Sequence, residues 1–67
     1  MKELRFGCSP EQEEVIADHL IHGRSLGMQP DERAWILNNV RRRIPTGKVM
    51  SANLDIENAE WVVTVQE

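Results

Sequence analysis

Three prolines, Pro10, Pro30 and Pro45, constrain the fold of this chain more than any other feature, because each marks a helix boundary. Proline fits the first turn of a helix, where its missing N–H is not needed, and it disrupts a helix interior. Ser9 suits the N-cap before Pro10, and Gln12 can complete a capping box by bonding back to the Ser9 amide. Two helices are therefore predicted, one beginning at Pro10 and one between Pro30 and Pro45.

Each predicted helix carries one apolar stripe at 100° per residue. The stripe of the first helix, which is expected to end near Gly23, contains Val15, Ile16, His19 and Leu20, widened by Ala17 and Ile21. The stripe of the second helix contains Ile36, Leu37, Val40 and Ile44. A loop over residues 22–29 joins the helices, and Leu26 and Met28 are expected to pack beneath it. Both helices therefore have a face that can cover a sheet.

Alternating side chains outside the helices predict three strands. Leu4, Phe6 and Cys8 alternate with other residues over 2–8. Further strands are predicted over Lys48–Leu54, with Met50, Ala52 and Leu54 on one face, and over Trp61–Gln66. The last strand is apolar on both faces at its start, which suits a central strand or one covered by a partner.

The predicted order is β-α-α-β-β within a single domain of residues 1–67. The simplest packing is an α+β fold, with two helices on one face of a small three-stranded antiparallel sheet. A domain of this size buries only about 60% of the surface that its unfolded chain exposes. The core is therefore expected to be thin.

Charge is distributed unevenly along the chain, whose net charge is −3. Residues 24–48 carry six basic and two acidic groups, whereas residues 1–23 and 49–67 are both acidic overall. This distribution disfavours general coating of nucleic acid but permits a local basic patch. One cysteine excludes an intrachain disulfide, and no signal peptide or membrane span is recognisable, so a cytoplasmic location is expected.

Trp35 is the clearest anomaly in the second helix, because it lies roughly opposite the apolar stripe. Its neighbours on that face are Asn38, Asn39 and Arg42. Tryptophan in a polar, basic setting is typical of a binding hot spot. These four residues are the predicted partner-binding surface. The alternative is that the fold covers this face with the N-terminal strand or the long loop.

A basic patch is a second candidate site, and its members are Arg41, Arg42 and Arg43 together with Lys48, Arg33 and Arg24. It could bind phosphate or an acidic protein surface. The alternative is a solvated helix C-terminus, where cations favour the helix dipole. Binding of DNA through this patch is disfavoured, because the second helix begins with Asp31 and its N-terminal residues would have to meet bases and phosphates.

The last strand offers a third candidate surface. Trp61, Val62 and Val63 could associate with a second copy of the chain, because an uncovered apolar strand edge invites pairing across a two-fold axis.

Metal binding and catalysis have little support in the sequence. His19 and His22, even with Cys8, leave a zinc site incomplete. Cys8 stands just before a helix N-terminus, which could lower its pKa, but a small core thiol is favoured. We expect no metal, no cofactor and no enzymatic activity.

No motif identifies a family, and the leading hypothesis is a regulator or inhibitor that binds a larger protein. Chains of this kind are sometimes encoded by phage or other mobile elements, although nothing in the residues demonstrates such an origin. The alternative is a small DNA-binding transcriptional regulator that uses the basic second helix. A homodimer is a further option, and no membrane partner is expected.

Overall fold

A computed structural model describes residues 1–67 and confirms the predicted α+β fold. The elements are β1 (Lys2–Gly7), α1 (Pro10–His22), α2 (Glu32–Arg43), β2 (Lys48–Asp55) and β3 (Glu60–Gln66). Every predicted helix and strand is present in the predicted order.

The antiparallel sheet has the strand order β1-β3-β2, so that β3 is its central strand. Leu4 of β1 and Ala52 of β2 both lie opposite Val63 of β3. The central position explains why this strand is apolar on both faces. The predicted pairing of β3 across a two-fold axis is wrong, because both of its edges are already hydrogen-bonded within the chain.

A β-bulge interrupts β2 and changes which side chains face the core. Val49 lies opposite Val65 and Ser51 lies opposite Thr64, so Met50 is the extra residue between them. Beyond the bulge, Ala52 and Leu54 face the same side of the sheet as Val49 does. The predicted face of Met50, Ala52 and Leu54 is therefore wrong at Met50, which is exposed.

The start of α1 follows the predicted cap only in part. The Ser9 hydroxyl accepts the Gln12 N–H at 3.2 Å, as an N-cap should. The Gln12 side chain does not return to Ser9, because it bonds the loop instead, donating to the Gly27 carbonyl at 3.1 Å and accepting from the Gln29 N–H at 2.9 Å. The capping-box prediction is wrong for this reason. Gly23 ends α1 in the left-handed conformation, with φ of 66°.

The core lies between one face of the sheet and the two helices. Its apolar members are Leu4, Phe6, Cys8, Ile16, Ile36, Val40, Ile44, Trp61, Val63 and Val65. Helix α1 contributes only Ile16 to this set. Leu20 and Ile21 are 64% and 72% exposed, so the predicted stripe of α1 packs only over its first half. The molecule is elongated and measures 39 × 19 × 14 Å. Large apolar side chains outside the core, among them Met28 and Met50, are exposed.

Candidate protein-interaction surfaces

Trp35 lies on the flank of α2 that faces the end of β1. Its indole N–H donates to the Gly7 carbonyl at 3.0 Å, and its own carbonyl accepts the Asn39 side-chain amide at 2.8 Å. The side chain is nevertheless 37% exposed. The end of β1 therefore holds the indole ring in one orientation through this hydrogen bond. Part of the side chain remains exposed to solvent.

The outer surface of α2, defined here as Trp35, Asn38, Asn39 and Arg42, is polar around the tryptophan. Asn38 and Arg42 are exposed and form no hydrogen bond or ion pair with another side chain, whereas Asn39 is half-buried. A depression of about 190 Å³ adjoins Trp35 on the side of the α2 N-terminus. Glu11 and Asp31 line it, so two exposed carboxylate side chains border the depression.

The residues of the predicted basic patch do not share one environment, because Arg43 is bound to β1 whereas Arg41 and Lys48 are exposed. Arg43 donates to the Arg5 carbonyl at 3.1 Å, and its guanidinium carbon lies 5.5 Å from the centre of the Phe6 ring. This side chain is therefore held against β1 by a hydrogen bond and a cation–π contact. Arg41 and Lys48 are exposed, and neither pairs with a carboxylate of the chain.

The three residues proposed for self-association do not share a surface. Trp61 and Val63 are buried by the chain's own helices, whereas Val62 is half-buried on the opposite face of the sheet. A second copy could reach Trp61 and Val63 only if the core opened.

An apolar groove between α2 and β2 was missed by the sequence reasoning. It measures about 390 Å³ and is lined by Met28, Arg33, Ile36, Leu37, Val49 and Ala52. Helix α2 is held toward the β1 side of the sheet through Trp35 and Arg43, which leaves the β2 side uncovered. The expectation that Met28 packs beneath the loop is wrong, because its side chain is exposed at this groove.

Cys8 is a core thiol with a raised pKa. Burial is the main cause, and the nearby carboxylates of Glu32, Glu13 and Glu60 add to it, raising the pKa from 9.0 to about 11. The suggestion of a lowered thiol pKa is therefore wrong. At neutral pH the sulfur is protonated and a poor nucleophile.

The two histidines of α1 lie in the last turn of that helix. His19 Nδ1 lies 2.8 Å from the Arg24 carbonyl oxygen, and His22 is exposed. Asp18 pairs with Arg24 at 3.5 Å. No group of three or more histidine, cysteine, aspartate or glutamate side chains is placed to hold a metal ion.

Comparison with protein-family models, with curated proteins and with solved structures finds no match to this chain. Neither helix is long and apolar enough to cross a membrane. The fold and its surfaces thus define a small α+β domain with an anchored, exposed tryptophan on one flank of α2 and an apolar groove on the other.

Proposed function

We propose that this chain is a small, non-enzymatic protein-binding domain that acts as a regulator or inhibitor of a larger protein. The observation that carries the proposal is Trp35, which is more than a third exposed while its indole N–H is fixed on the Gly7 carbonyl. Tryptophan is enriched among the residues that dominate binding energy. Fixing the ring in advance lowers the entropy lost when a partner binds it.

The surroundings of Trp35 suit a protein partner. Asn38 and Arg42 supply exposed polar groups that are free to pair across an interface, as the rim of a protein interface requires. The depression beside Trp35, lined by Glu11 and Asp31, offers space and negative charge to a basic side chain. A partner that places a lysine or arginine there would also lie beside Trp35, which lines the same depression.

The non-enzymatic part of the proposal is supported by the chemistry of Cys8. This single thiol is buried and holds its proton at neutral pH, since its pKa is raised to about 11. Both histidines lie at the C-terminal end of α1, where His19 is engaged with the Arg24 carbonyl.

Affinity capture from the native host, followed by calorimetry with the recovered partner, tests the proposal. Trp35→Ala should weaken binding about 30-fold, equivalent to a loss of about 2 kcal/mol. Because this variant also loses the Gly7 bond, Asn38→Arg and Arg42→Glu serve as second variants. Neither side chain is engaged within the chain, so both variants should keep the wild-type unfolding curve and lose the partner.

Lys48→Glu is the matched control, because it makes the same charge change away from the outer surface of α2. It should bind the partner as the wild type does. Retention of the partner by both Asn38→Arg and Arg42→Glu would contradict the proposal. Recovery of DNA instead, with salt-dependent binding weakened equally by Arg42→Glu and Lys48→Glu, would favour the alternative of a DNA-binding regulator.

A further inference from the structure

The apolar groove between α2 and β2 has a cation at its rim without an ion-pair partner. Arg33 lines the groove, and the ion pairs of the chain involve only Lys2, Arg5 and Arg24 as cations. The groove thus presents an apolar floor and one uncompensated positive charge. An occupant that matches it needs an apolar stripe with a carboxylate at its edge.

The exposed face of α1 has this composition. Ala17, Leu20 and Ile21 are exposed, and their spacing of three and four residues places them on one side of the helix. Glu14 is exposed on the same side, seven residues before Ile21, and forms no ion pair. The apolar residues lie beyond the part of α1 that packs on the sheet, so nothing in the chain covers them.

We propose that two copies of this chain associate, with the exposed face of α1 of each copy docked in the apolar groove of the other. Leu20 and Ile21 would lie against Leu37 and Met28, and Glu14 would lie near Arg33. Each copy carries both the stripe and the groove, so a two-fold arrangement makes the contact twice. Glu14 and Arg33 have no ion-pair partner within the chain, so one pair at each of the two contacts supplies the charge complementarity that favours a second copy as the occupant.

This association is independent of the proposed binding through the outer surface of α2. Trp35 and Leu37 are separated by about 160° around the helix axis, so the two surfaces lie on opposite flanks of α2. A dimer formed through the groove leaves Trp35 accessible. Failure of either proposal therefore leaves the other standing.

Sedimentation equilibrium of the full chain measures the association. Concentrations from about 5 to 500 µM cover the dissociation constants expected of a weak dimer. The mass should rise from 7.7 kDa toward twice that value. Ile21→Ser should weaken the dimer about 100-fold, because the two-fold arrangement loses two buried Ile21 side chains and each contributes about 10-fold. Met50→Ser is the control, because Met50 is also exposed and apolar but does not line the groove.

A charge swap tests the orientation. Arg33→Glu and Glu14→Arg should each weaken the dimer, and the double variant should restore it, while Glu57→Arg in the β2–β3 turn should have no effect. A monomeric mass at every concentration would overturn the proposal. So would a dimer that keeps its affinity in both Ile21→Ser and Arg33→Glu, because the contact would then lie elsewhere.

Discussion

The carboxylate of Glu32 accepts the indole N–H of Trp61 at 2.7 Å inside the core. The same carboxylate accepts the backbone N–H of Ser9 at 3.2 Å and the Ser9 hydroxyl. One side chain at the start of α2 therefore joins the central strand to the junction between β1 and α1. All three donors are buried and need an acceptor, which explains how a carboxylate is tolerated there.

Replacing Glu32 should be the most damaging single change among the charged residues. Glu32→Ala leaves the Trp61 and Ser9 donors without an acceptor and should lower the free energy of unfolding by about 2–4 kcal/mol. A domain of this length has a total of roughly 3–10 kcal/mol, so partial unfolding is expected. Glu32→Gln keeps an acceptor and should cost less. Urea denaturation measures both.

The exposed Glu57 provides the control for this prediction, since Glu57→Gln should leave the unfolding midpoint unchanged. A double-mutant cycle with Trp61→Phe isolates the bond to the indole N–H. If Glu32→Ala unfolds at the same urea concentration as the wild type, the carboxylate does not hold the core together.

Ala59 is a site where a substitution should stabilise the fold. It is the one residue other than glycine with a positive φ, 51°, and it lies in the turn that leads into β3. The left-handed conformation costs a residue with a Cβ about 1–2 kcal/mol. Ala59→Gly removes this strain but adds freedom to the unfolded chain and loses a half-buried methyl group that packs against the core, so we expect a net gain of about 0.5 kcal/mol. Thermal unfolding measures this gain in stability.

Ala52→Gly, in the interior of β2, is the control and should be destabilising. A loss of stability in both variants would argue against strain at Ala59.

Gly47 is required because its neighbours leave no room for a side chain. A Cβ at this position would lie 2.5 Å from Cγ1 of Val65 and 2.7 Å from Cγ2 of Ile44. Both are buried core atoms, so Gly47→Ala should lower the free energy of unfolding by about 1–3 kcal/mol through overpacking. Gly27→Ala is the matched control, because a Cβ there meets no atom within 4 Å. Similar unfolding curves for the two variants would show that the backbone at Gly47 moves aside at little cost.

Local signals in the sequence were sufficient for the fold. The prolines at 10, 30 and 45 bound the helices, and alternation located the strands, because both depend on residues close together in the chain. The errors came from non-local bonds. The Gln12 side chain bonds the distant loop rather than its own helix cap, and the buried Glu32 carboxylate accepts the indole N–H of Trp61, 29 residues away.

The candidate surfaces were harder to predict than the elements. Helical phase placed Trp35 away from the apolar stripe, but its bond to Gly7 depends on where β1 ends beside α2. The bulge at Met50 reverses the alternation of β2, so the residues that line the groove could not be read from the pattern. The exposed half of α1 looks like a core stripe in sequence, because hydrophobic periodicity does not reveal how far a helix extends past its sheet.

The raised pKa of Cys8 makes stability depend on pH in one window. Below pH 9 the Cys8 thiol is protonated in both the folded and the unfolded chain. Its burial then makes its full contribution to the free energy of unfolding. Between pH 9 and 11 the unfolded chain loses the thiol proton while the folded chain keeps it, because the pKa rises from 9.0 to about 11 on folding. The free energy of unfolding should therefore fall as pH rises through this window and level off above it.

Chemical denaturation at intervals from pH 8 to 11.5 measures this fall against Cys8→Ala, which has no thiol to ionise. The chain contains no tyrosine, so no phenol titrates in the same range, and lysine ionisation is common to both proteins and cancels in the difference. The difference between the two curves should shrink as pH rises from 9 to 11. A difference that stays constant across the window would mean that the folded protein accommodates the thiolate as readily as water does, which contradicts the burial of Cys8 beside Glu32 and Glu13.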